Sequence, residues 1–419
     1  MLVIAFTLLI NSNITYANSL NLNSAGAVLI DYETGQILYG ENEHKQLYPA
    51  STTKMMTAIL AIENGNLSDL VVVDQQVISL TKGSHIALEP GEVLTLEQLL
   101  YALMLPSAND SALAIALHIS NSVEEFVNLM NAKAKEIGAL NTNFVNPNGL
   151  HDDRHVSTAY DLALIGRYAM GNEKIREIVN TITYEIPPTN KKSEPRYFKI
   201  TNKLLFSNEK IDIKGKLIDI RYSQASGVKT GYTSQAMNCL VSFAQNKDQS
   251  LIAAVLKADG NMVYADTHKL LNYGFENFDT RLIAYANEFV DNVNIKNGEI
   301  PFVGGVIDRT ITYPLSINDL NKIERNITYN DNLEAPIDKG QIIGEVEYLL
   351  NGSVIAGGSI VSTSQIGIDK SKLLHNQIIS KWYLVVFVLL FLFRAYALAK
   401  KKKKRRRKKE VYRVPYEIK

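Results

Sequence analysis

The sequence predicts an α+β domain, then a small all-β domain, then one membrane-spanning helix near the C-terminus. Three observations carry this. Strand-like apolar runs flank residues 18–279, and helical periodicity fills the middle. Over residues 280–366 helical periodicity gives way to short alternating segments rich in Gly, Asn, Asp and Pro. Residues 382–399, "WYLVVFVLLFLFRAYALA", are apolar on every side of a helix apart from Arg394.

The first segment, "VIAFTLLI" (3–10), is too short to span a bilayer. It precedes Thr15-Tyr16-Ala17, small residues spaced as at a signal-peptidase site, so residues 1–17 read as a signal peptide without a positive n-region. "GAVLIDYETGQILYGEN" (26–42) reads as a hairpin turning at Glu33-Thr34-Gly35. "YPASTTKMMTAILAIENG" (48–65) starts a helix, with Pro49 ahead and Ser51, Thr52 and Thr53 at its cap. Residues 95–105 and 109–119 are helical and split by Pro106-Ser107. Further helices cover 123–139 and 158–170. After a polar stretch (185–200), residues 226–258 read as strands, with "LVSFA" and "LIAAVL" as core segments. "THKLLNYGFENF" (267–278) is a helix packing back on them.

The second domain, 280–366, contains strand-like runs such as "TITYPL" and "GQIIGEVEYLL", expected to form a sandwich or barrel. A linker, 367–381, leads to the membrane helix. Eighteen residues rise roughly 27 Å, about the hydrocarbon thickness. Ten consecutive cations follow (400–409), within a tail, 400–419, of net charge +10. With Lys381 and Arg394 set aside, a whole-chain charge of +1 leaves −11 on residues 1–380. Directly behind a membrane helix, such a run is a cytoplasmic stop-transfer signal facing anionic headgroups rather than a nucleic-acid site. The preceding domains then lie outside the cytoplasm. The single cysteine, Cys239, excludes an internal disulfide and falls in an apolar strand, as a buried structural thiol does.

Three short motifs carry chemistry. On a helix, Ser51 and Lys54 share a face. A desolvated amine can take the serine proton, and the helix dipole favours the oxyanion that follows. Alone, this pair also fits a capping serine and a solvated lysine. "LPSANDSA" adds Ser107 and Asn109 at a break between helices. "SGVKTGYT" adds Lys229, Thr230 and Gly231 on a strand, a cation and a hydroxyl suited to a carboxylate, with a glycine that lets a substrate backbone lie close. The ordered triple is far more specific than any member.

With "AGAVLIDYETGQILYGEN", "LEPGEVLTLEQLLYALMLPSANDSALAIA", "MNAKAKEIGALNTNFVNPNGLHD" and "APIDKGQIIGEVEYLLNGSVIAG", these motifs resemble the low-molecular-mass penicillin-binding proteins that are serine-type D-alanyl-D-alanine carboxypeptidases. The resemblance spans almost the whole exported chain. It implies a β-lactamase/transpeptidase-like domain, an antiparallel sheet with helices on both sides. It implies Ser51 as nucleophile, Lys54 as general base, and Ser107 and Asn109 as proton-shuttling and positioning residues. Lys229 and Thr230 would bind the terminal carboxylate, and the N–H groups of Ser51 and Tyr232 would form the oxyanion hole. It implies peptidoglycan stem peptides as substrates, β-lactams as covalent inhibitors, a bacterial membrane location and no cofactor or metal. One departure stands out: "LKADGNMVYADTHKLL" (256–271) lacks the arginine that some members carry after the last core strand. The competing functions are a serine β-lactamase, which needs a deacylating base not evident here, and a catalytically idle wall-binding protein.

Other segments read more plainly. "HDDRH" (151–155) spaces histidines as a metal site does, but it follows a loop signal and is expected to be solvated or capping. "KGSHIALEPGEVLTL" (82–96) fits either a loop near the site or an ordinary connector. The sequons at Asn13, Asn326 and Asn351 are incidental in a bacterium.

Overall fold

The computed structural model describes residues 19–247, 249–316, 319, 321–371 and 381–410. The expected signal peptide, most of the linker and residues 411–419 lie outside the described residues. The chain divides into two compact units. One runs to Arg281 and includes Tyr313–Asn321; the other comprises Leu282–Thr312 and the residues from Lys322 onward.

In the first unit, strands β1 (Gly26–Asp31), β2 (Ile37–Glu41), β9 (Lys229–Thr233), β10 (Met237–Gln245) and β11 (Ser250–Ala258) form one antiparallel sheet, ordered β2-β1-β11-β10-β9. The N-terminal hairpin thus pairs with the last strand of the domain. Period-2 alternation divides the side chains between two cores. Val28, Ile30, Val241, Phe243, Ile252 and Ala254 face one; Ala27, Leu29, Leu240, Leu251, Ala253 and Val255 face the other.

The larger core holds α1 (Lys54–Asn64), α3 (Leu96–Met104), α4 (Asn109–Ile119), α5 (Val123–Ile137) and α6 (Ala159–Met170). Helix α8 (Met262–Asn277) covers the opposite face and begins five residues before its expected start. Between the main helices lie short elements that periodicity does not announce. These are β3 (Leu70–Val72), α2 (Gln75–Leu80), β4 (Val93–Thr95) and α7 (Glu173–Asn180). The polar stretch after α7 holds a hairpin, β5 (Thr183–Ile186) with β6 (Arg196–Lys199). A second hairpin, β7 (Lys210–Ile213) with β8 (Lys216–Asp219), follows it. Caps mark the helix starts where Ser, Thr, Asp or Asn precede them. Thr95 makes a capping box with Gln98, and Ser122 and Thr158 cap α5 and α6.

The chain then runs through β12 (Phe278–Ala284), β13 (Phe289–Asn294), β14 (Phe302–Ile307), β15 (Ile311–Ser316), β16 (Ile323–Tyr329), β17 (Ile342–Leu350) and β18 (Ser353–Ser362). The second unit is built on a five-stranded antiparallel sheet, β13-β14-β18-β17-β16, over a core that includes Val293, Val303, Ile307, Val346 and Ile360. Strands β12 and β15 pair separately. Helix α9 (Trp382–Glu410) is long and apolar enough to cross a membrane over Trp382–Arg405, and it continues into the basic run.

Candidate active site

Ala50–Thr53 form one 3₁₀ turn that leads straight into α1, so Ser51 lies ahead of the α-helix rather than in its first turn, and its hydroxyl is not a cap. Two glycines fix this turn. Gly149 (φ +84°) lies so close that a Cβ there would fall 1.9 Å from the Ala50 carbonyl oxygen. A Cβ on Gly231 of β9 would lie 3.0 Å from both Pro49 O and the Ser51 nitrogen. The space Gly231 leaves is therefore filled by the serine's own turn. This corrects its expected role as room for a substrate backbone. Ala50 itself is left-handed (φ +48°), a conformation that costs a non-glycine residue about 1–2 kcal/mol and is held by the surrounding packing.

Lys54, the first residue of α1, points back along the helix beneath Ser51. Its Nζ is 3.0 Å from Ser51 Oγ, 2.6 Å from Asn109 Oδ1 and 2.7 Å from the Asn148 carbonyl oxygen. The Asn109 amide is oriented by its own Nδ2, which donates to Lys82 O at 2.6 Å. Both carbonyl oxygens can only accept. A neutral amine has two N–H groups and one lone pair. With the N–H groups committed to Asn109 and Asn148, the lone pair faces the one partner that carries a proton, the Ser51 hydroxyl. The environment favours that neutral form. Burial pushes the Lys54 ammonium well below its ordinary range, and the charge of Lys229 pushes the same way. Asp110 opposes them.

Lys229 is also fully buried. Burial brings its pKa down to about 7, and its Nζ donates to Thr230 O at 3.1 Å. Ser107 sits between α3 and α4 in a left-handed conformation (φ +66°). Its Oγ is buried with no hydrogen-bond partner among the described residues, an unsatisfied donor beside the serine–lysine pair's Asn109. Tyr232 is two-thirds exposed on β9. Among the described residues, no group of three or more His, Cys, Asp or Glu side chains is placed to hold a metal ion. Cys239 is buried, and burial pushes its thiol up to about 12, which leaves it unreactive.

Sequence reasoning missed the loop that completes the lysine's shell. Asn148 contributes a main-chain carbonyl, a group no residue type encodes. The loop is fastened along α1 by Thr57 Oγ1, which donates to Pro147 O at 2.6 Å, and by His155. His155 departs from the expectation of solvated or capping residues in "HDDRH": it is 2% exposed. Val145 N–H donates to its Nδ1 at 3.0 Å, so Nε2 carries the proton and donates to Thr53 Oγ1 at 2.9 Å. The segment 82–88 likewise belongs to the site's support. Ser84 O accepts from the Asn109 N–H, and the buried Asp110 carboxylate accepts from the N–H groups of Ile86 and Leu88.

A serine hydroxyl against a buried, carbonyl-bound lysine, next to an edge strand, defines a serine–lysine acyl-transfer site. Comparison with known proteins identifies the family. Residues 13–260 match the D-alanyl-D-alanine carboxypeptidase model, and residues 278–367 match that of the penicillin-binding protein 5 C-terminal domain. The D-alanyl-D-alanine carboxypeptidase DacF of Bacillus subtilis is 35% identical over 80% of this chain and 84% of its own. DacA of Haemophilus influenzae is 31% identical over 81% and 84%. The crystal structure of penicillin binding protein 5 from H. influenzae superposes with a TM-score of 0.70 at 27% identity, covering 84% of this chain and all of that one. The chain belongs to the D-alanyl-D-alanine carboxypeptidase family of low-molecular-mass penicillin-binding proteins, serine peptidases with a catalytic domain and a C-terminal all-β domain.

Two predictions follow from this geometry. At the left-handed Ser107, glycine is free of strain and alanine is not. Ser107→Gly is expected to melt above Ser107→Ala, by a margin worth about 1 kcal/mol, while both lose acylation rate; thermal unfolding and penicillin-labelling kinetics check this. Burial lowers the His155 pKa from its usual 6.5 to about 4, so the folded state holds the ring neutral. Its stabilisation is complete above about pH 6.5. It is lost as pH falls toward 4, where only the unfolded chain takes up the proton, a change of roughly 3 kcal/mol. Denaturant unfolding at pH 7 and pH 4.5 should show this loss, and His155→Gln should flatten it.

Proposed function

We propose that this chain removes the terminal D-alanine from peptidoglycan stem pentapeptides through an acyl-enzyme on Ser51. The single observation that carries this is the 3.0 Å contact between Ser51 Oγ and a Lys54 amine whose other partners are carbonyl oxygens. Lys54 takes the hydroxyl proton as Ser51 Oγ attacks the carbonyl of the penultimate D-alanine. The oxyanion is stabilised by the N–H groups of Ser51 and Tyr232 and by the helix N-terminus behind Ser51. Ser107, whose hydroxyl has no other partner among the described residues, passes the proton to the departing amine, and Asn109 keeps Lys54 aligned. Lys229 and Thr230 bind the terminal carboxylate, and Gly231 keeps their strand against the nucleophile. D-Alanine leaves, and water, activated by the same amine, hydrolyses the ester. Penicillins acylate the same serine.

Helix α9 anchors the chain in the cytoplasmic membrane of a bacterium. The basic run after it lies in the cytoplasm and the catalytic unit outside, as the positive-inside rule requires.

Ser51→Ala should show no penicilloyl adduct by intact-mass and peptide mapping; an adduct that persists there, or maps to another residue, refutes the assignment. Lys54→Ala should acylate ~10²–10⁴-fold more slowly, the usual cost of removing a general base, as measured by stopped-flow with a fluorescent penicillin. Sustained nitrocefin turnover by the wild type would favour a β-lactamase instead.

A further inference from the structure

Without an arginine in residues 256–271, the substrate carboxylate is left to Lys229, Thr230 or a further residue. The structure puts a second hydroxyl beside that of Thr230. Thr201 Oγ1 lies 2.6 Å from Thr230 Oγ1, and the pair is open to solvent. Thr201 is not on a loose loop. Its N–H donates to Leu105 O at 3.2 Å, two residues before Ser107. The next residue, Asn202, is buried. It donates from Nδ2 to Gly227 O at 2.8 Å and accepts from Leu204 N–H. The Thr201 hydroxyl is thereby tied on one side to the turn that carries Ser107 and on the other to the segment that enters β9.

We propose that Thr201 is a substrate-binding residue, whose hydroxyl joins that of Thr230 to hold the terminal carboxylate of the acyl-D-Ala-D-Ala peptide where the arginine is absent. This rests on the proposed carboxypeptidase function. Two hydroxyls in contact place one hydrogen between them and leave the other free. A carboxylate offers two acceptor oxygens. On docking, either both hydroxyls turn their hydrogens to it, or Thr201 donates to Thr230 and strengthens the bond that Thr230 makes. The Lys229 Nζ, bonded to Thr230 O, sets a cation immediately behind this seat. Neutral donors grip an anion less tightly than a bidentate guanidinium, so each hydroxyl carries a measurable share of substrate affinity.

The test uses the full-length protein in detergent and three substrates. One is diacetyl-L-Lys-D-Ala-D-Ala; the others are a benzoylglycyl thioester whose leaving group ends in a carboxylate and the methyl ester of that thioester. Thr201→Val is expected to raise KM about tenfold for the two carboxylate substrates, with kcat little changed and the methyl ester unaffected. Thr201→Ser should restore the wild-type KM. Equal losses on the acid and its methyl ester, or unchanged KM on both, overturn the proposal. A wild-type enzyme that releases no D-alanine from the peptide overturns the carboxypeptidase function instead, and the thioester pair still decides the role of Thr201.

Discussion

The catalytic unit depends on keeping one amine out of water. Lys54 is completely buried, and a lysine charge there is costly unless the surroundings are arranged to hold it. Burial and the charge of Lys229 push Lys54 toward the neutral amine instead. Its Nζ meets two carbonyl oxygens and one hydroxyl. Exposure to water would restore the ordinary basicity of the ammonium. The packing of α1 against α3, α4 and the 145–155 loop, the orientation of the Asn109 amide and the neutral tautomer of His155 all serve this arrangement.

Close backbone approach is the second constraint. The turn that carries Ser51 is wedged between the loop at Gly149 and the strand at Gly231, and a side chain at either position would collide with its main chain. Ala50 and Ser107 take left-handed conformations that the fold over-determines. Strain on both sides of the serine–lysine pair fixes where the two groups point.

The two lysines divide the electrostatic work. Each is buried, the charge of Lys229 disfavours that of Lys54, and they differ in what they contact. Lys54 reaches the Ser51 hydroxyl and Lys229 backs the edge strand β9.

The sequence by itself determined the fold class, the order of its main elements and the three motifs. Hydrophobic period reports which face of a segment is buried, and Ser51, Lys54, Asn109 and Lys229 are residue types whose chemistry is rare in combination. The 18-residue apolar run before ten cations was equally plain, because membrane solubility is a property of composition. Only the tertiary structure decided what Gly231 makes room for, that His155 is a buried pin and not a solvated residue, and that Thr201 meets Thr230. Those depend on contacts between segments far apart in the chain. Asn148 shows the limit most clearly. It acts through a main-chain carbonyl that every residue possesses, so nothing in its identity could mark it before the loop was folded against α1.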